Sequence, residues 1–101
     1  MSYGWEKLHI AVHTLCGGRE RRERLIDALA LSLIHINANE HLPEDMRDEF
    51  INFWEEMTFV QGEDGTIKAT VDSLDDMGVS RAIEKIVGFY DEICRLEGPR
   101  R

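Results

Sequence analysis

Apolar residues return every three or four positions through four stretches of this chain, a period that belongs to the α-helix and not to the strand. Trp5, Leu8, Val12 and Leu15 share one face of a helix expected over residues 4–16. Gly17 and Gly18 follow as a stop, because glycine enters the left-handed C′ conformation without a Cβ penalty. A second helix is expected over residues 19–37, with Leu25, Ile26, Leu29, Leu33 and Ile36 in a broad stripe. Leu31 and Ala28 point away from that stripe, and a helix apolar on more than one side belongs in a centre or an interface.

The third helix starts near Pro43, whose missing N–H would have no partner in a first turn anyway. Glu44 and Asp45 then favour the positive end of the macrodipole. Met46, Phe50, Phe53, Trp54 and Met57 line its apolar face, and it is expected to end near Phe59. A turn over residues 61–65 is bounded by an ambiguous segment. Ile67, Ala69 and Val71 alternate, so residues 58–60 and 66–71 form either a short β-hairpin or an irregular connection. The last helix has two candidate starts. Ser73-x-x-Asp76 resembles a capping box, and from Val79 the stripe Ile83, Ile86, Val87, Tyr90, Ile93, Cys94 is plain. Leu74 and Met77 fall opposite that register, so Gly78 is expected to break or kink the segment. Gly98 and Pro99 end the helix near Leu96, with Arg100 and Arg101 as a frayed tail.

These elements predict one all-α domain over residues 1–101, a four-helix antiparallel bundle with the ambiguous segment between its third and fourth helices. A 101-residue chain buries only about 60–70% of its unfolded surface. Such a core leaves little room for an enclosed cofactor, and sharing it across a homodimer would supplement it. The 43% hydrophobic content exceeds what a disordered chain carries.

Charge and cysteine usage narrow the function classes. Twelve basic against twenty acidic residues give −8, which disfavours nucleic-acid backbones and anionic membranes. The N-terminus lacks the basic start and apolar run of a signal peptide. The longest apolar stretch, residues 25–36, is interrupted by Asp27, Ser32 and His35 and falls short of the ~20 residues of a membrane span. A cytoplasmic protein is expected, with Cys16 and Cys94 as reduced thiols.

His9, His13 and Cys16 form the most chemical-looking pattern. Their i, i+4, i+7 spacing puts two imidazoles and a thiol on one helix face, a way to present ligands to zinc or a similar ion. His35 or His41 would have to complete a tetrahedral site. The competing reading leaves both histidines at the solvent edge and Cys16 as a small packing residue. Neither cysteine sits at a helix N-terminus, where the dipole would activate it.

Residues 19–24 hold four arginines interleaved with Glu20 and Glu23. The alternating signs favour a salt-bridged helix face over a nucleic-acid contact, since no aromatic residue is present to stack on bases. Residues 40–64 hold nine carboxylates against Arg47 alone, which makes them a solvated acidic face or a dock for a basic partner. No phosphate loop, no Gly-x-Ser-x-Gly elbow and no Cys-x-x-Cys occurs. Leu31, Ile51 and Phe59 lie off the main apolar faces, and gathered into a patch they would mark an association surface. The expectation is a non-catalytic protein–protein interaction module, homodimeric, with no catalytic or cofactor residues assigned. The alternative is a metal-binding protein using His9, His13 and Cys16.

Overall fold

Ser2 opens the first helix in the manner its side chain allows, its Oγ accepting a hydrogen bond from the Trp5 N–H at 3.1 Å. The computed structural model describes residues 2–98, so the expected tail at Arg100 and Arg101 lies outside them. The elements are α1 (Tyr3–Leu15), α2 (Arg21–Leu31), a 3-10 turn (Leu33–His35), α3 (Ala38–His41), α4 (Glu44–Met57), α5 (Thr66–Ser73) and α6 (Asp76–Glu97). The described residues contain helices and no strand. The all-α class holds, while six α-helices stand among the described residues where a four-helix bundle was expected.

α6 is the spine. Val79, Ala82, Ile86, Phe89 and Ile93 are buried along it at alternating spacings of three and four. Phe89 is 2% exposed and meets Phe50 and Phe53 of α4 edge-on, with ring centroids 5.4 and 5.5 Å away. The sequence stripe put Val87 on this face and passed over Phe89, yet Val87 is exposed. A wide face explains the shift, because α6 packs on α4 through Phe89 and on α1 through Tyr90 and Cys94. The true cap of α6 is Asp75, whose carboxylate accepts from the Gly78 N–H at 2.7 Å. Ser73 is instead the last residue of α5, and the helix runs unbroken through Gly78.

The long second helix does not form. α2 ends at Leu31, and Ser32 takes a non-helical φ of −125°. Continuing the helix to residue 37 would keep Leu33 and Ile36 on the stripe but make Asn37 a helix end rather than a start. Instead the Asn37 side chain caps α3, accepting from the Asn39 and Glu40 N–H groups at 3.0 and 3.2 Å. The Asn37 N–H in turn donates to His41 Nδ1 at 2.8 Å. This reciprocal cap competes with helix propagation, as asparagine does generally. Ala28, assigned to the outer side of α2, is fully buried because α2 packs against both α1 and α5.

The hairpin is overturned as well. Residues 66–73 are helical, with Ile67 and Leu74 half-buried and Thr70 and Val71 buried at i, i+3, i+4, i+7. Lys68 and Asp72 form an i, i+4 ion pair at 2.7 Å on the outer side. The expected turn does form, closed by the Gly65 N–H donating to the Gly62 carbonyl at 3.2 Å. Gly65 adopts φ +101°, a conformation that favours glycine. Gly17 and Gly18 end α1 without entering that region. The α1 terminus is closed instead by Arg24, which donates to the Leu15 carbonyl.

Candidate functional site

Two surfaces bring chemically distinctive side chains together. The first is the seam between α1 and α6. Trp5 stacks on His9 with centroids 4.7 Å apart and planes 12° apart. The His9 and His13 rings follow at 4.4 Å. His9 Nδ1 and the Tyr90 hydroxyl are hydrogen-bonded at 3.1 Å, and the Trp5 indole N–H donates to Cys94 Sγ at 3.3 Å. Burial holds the Tyr90 hydroxyl above its ordinary pKa, helped by its hydrogen bond to Cys94 and by that thiol's charge when ionised.

This seam fixes a sign for alkaline stability. The folded state favours neutral Tyr90, so its contribution is complete below the unfolded tyrosine pKa of about 10 and is lost as pH rises through the higher folded value. Urea midpoints should therefore fall above about pH 10, and Tyr90→Phe should flatten that fall. An equal alkaline slope in both proteins would remove Tyr90 as its source.

The sequence placed His9, His13 and Cys16 on one face, and the first two do meet. Cys16 is exposed beyond the end of α1. Glu6-Lys7-Leu8-His9 carries the Glu-x-x-His spacing used by di-iron bundles, but Glu6 faces solvent. Among the described residues no three His, Cys, Asp or Glu side chains stand in a metal-holding group. His35 lies exposed on the 3-10 turn, and His41 is held by Asn37 and by the Tyr3 ring at 4.4 Å.

The arginines of residues 19–24 all have partners within the chain. Arg19 pairs with Glu23 and Asp27. Arg21 donates to Ser80 Oγ and the Asp76 carbonyl. Arg22 donates to the Val71 carbonyl at 2.8 Å and to the Asp76 carboxylate at 3.2 Å. These contacts tie α2 to the α5–α6 junction, and with Arg24 at Leu15 they give the run a scaffold role.

The second surface is a groove between α4 and α6, with a volume of about 590 Å³. Phe53, Met57, Leu74, Ala82 and Phe89 supply its apolar floor. Glu49, Glu56, Glu84 and Glu92 outnumber Arg81 and Lys85 around it. Lys85 bridges the two helices through an ion pair with Glu49, and its ammonium lies 5.8 Å from the Phe89 ring centroid. Beside it, Asn52, Glu55, Glu56 and Phe59 line a shallower hollow in which Phe59 is 81% exposed.

Sequence reasoning found the acidic face and Phe59 but missed the groove itself. Its signal lay in Gly88, a glycine inside α6 that lines the groove. A Cβ added at Gly88 would meet nothing within 4 Å. The other off-face residues are exposed as expected, Leu31 at 67% and Ile51 at 37%, and Ile34 joins them at 50%. No described helix is long and apolar enough to cross a membrane. No family model matches the chain, and no curated protein or solved structure matches it.

Proposed function

We propose that this protein is a non-catalytic protein–protein interaction module. The α4–α6 groove carries the reading: apolar side chains line a depression that the chain's own residues leave open, and carboxylates ring it. Phe53, Ala82 and Phe89 are themselves buried, so a partner would meet the half-buried Leu74 and the edges of the core rather than a broad apolar patch. Two free thiols accord with a reducing compartment such as the cytoplasm. The acidic balance and the internally engaged arginines speak against a nucleic-acid partner. The test compares proteins captured from native cells by the wild type and by a Gly88→Leu variant, whose new side chain would fill the groove. A partner held at near-equal amount by the first and lost by the second is the expected result. Identical captures would remove the groove from the function.

Exposure of Leu31 at the end of α2 and of Ile34 on the 3-10 turn favours a second element of the reading, a homodimer. Light scattering should give twice the chain mass for the wild type and the single mass for Leu31→Asp. A monomeric wild type, or an unchanged mass in the variant, ends the homodimer assignment.

A further inference from the structure

We infer that the occupant of the α4–α6 groove is a basic amphipathic helix of another protein. This rests on the interaction-module reading and specifies the chemistry of its partner.

The shape of the groove selects a helix. Its lining on α6 runs from position 78 to position 92, about 21 Å at 1.5 Å per residue. Apolar anchors at i, i+3 and i+7 of a docked helix span about half of that. The described residues present no strand edge, so an extended peptide would find no backbone ladder to join. A helix satisfies its own backbone hydrogen bonds and needs only a place for its apolar face. The open space at Gly88, on the wall of the groove, provides one.

The charge of the rim selects a basic flank. Glu49 is already neutralised by Lys85 across the groove. Glu56, Glu84 and Glu92 make no ion pair among the described residues, and they face a single unpaired cation, Arg81. The outer side of α4 continues the acidic field with Asp45, Asp48 and Glu55. Lysines or arginines beside the anchors would meet these carboxylates and exclude acidic competitors by like-charge repulsion. A second copy of this chain does not fit that role. It carries −8 overall, and its arginine-rich segment is held by Asp76, Val71, Ser80 and Leu15.

The full chain can be titrated with two helical peptides of about five turns. Both carry leucine at i, i+3, i+7 and i+10, one flanked by lysine and its twin by glutamate. Backbone amide NMR at physiological salt reads the site. The lysine peptide should shift the amides of Phe53, Gly78, Ala82 and Gly88, and the glutamate twin should bind at least roughly tenfold more weakly. Gly88→Leu should abolish the shifts while keeping the native spectrum elsewhere. The Glu84→Lys, Glu92→Lys double variant, which alters only the rim, should weaken the lysine peptide by roughly tenfold or more. Equal binding of the twins, shifts away from the groove, or no binding of the lysine peptide would each overturn the basic-helix assignment. None of these would touch the module reading, which stands or falls on the paired captures of wild type and Gly88→Leu.

Discussion

Truncation of Phe89 to alanine should cost about 3–5 kcal/mol of folding stability, the range for a buried phenylalanine emptied to a methyl group. The ring is 2% exposed and sits edge-on between Phe50 and Phe53. Its removal loses apolar burial and two edge-to-face contacts, and it leaves a hole where α4 meets α6. Against the usual 5–15 kcal/mol of a small domain, that loss is a large share. It should lower the thermal midpoint by on the order of 20 °C. Phe89→Leu keeps most of the volume and should recover more than half of the loss. Urea unfolding of the three proteins measures this directly. A Phe89→Ala loss under about 1 kcal/mol, the level of a surface change, would mean that α4 and α6 do not depend on this ring.

Gly4→Ala should destabilise the fold by roughly 1–3 kcal/mol, although alanine is the better helix former. Gly4 is buried in the first turn of α1, and a Cβ there would overlap the His41 carbonyl oxygen and touch Leu42 Cδ2 at 3.0 Å. The obstacle is backbone, which cannot rotate aside, so α1 and α3 would have to separate. Gly88→Ala is the matched control. It too lies inside a helix, but its Cβ would enter open space. There the intrinsic preference acts alone and should stabilise by about 0.5–1 kcal/mol. Opposite signs from the same substitution would show that close approach, not propensity, fixes Gly4. Two stabilising results would refute the tight α1–α3 contact.

Much of this fold is legible in the chain because its strongest stripes lie on helices with one dominant buried face. On α4, Met46, Phe50, Phe53 and Met57 are buried where the period puts them. The period failed where a residue answers to two neighbours or to its own side chain. Val87 and Phe89 exchanged places because α6 serves α1 and α4 at once. Asn37 was absorbed into a helix because its capping bond is invisible to hydropathy. Ile67, Ala69 and Val71 alternate over too few residues to outweigh Thr70 and Leu74, which complete a helical face. At the surface, carboxylates and Phe59 announced themselves by type. The groove did not, since open space on α6 is left at Gly88 alone of its small residues, and the opposite wall is a helix thirty residues away.

The seam between α1 and α6 also decides how the molecule would answer to force. Trp5 reaches Cys94 and His9 reaches Tyr90, so the two helices run antiparallel and residues 2 and 98 emerge at the same edge. Tension drawing those two points apart acts across the seam rather than along it. Trp5–Cys94 would carry the whole load first and His9–Tyr90 next, each parting before its neighbour is strained. The contacts are thus arranged as a zipper and not as a lap joint, and resistance to pulling from the two ends is set by the weakest pair in turn instead of by their sum.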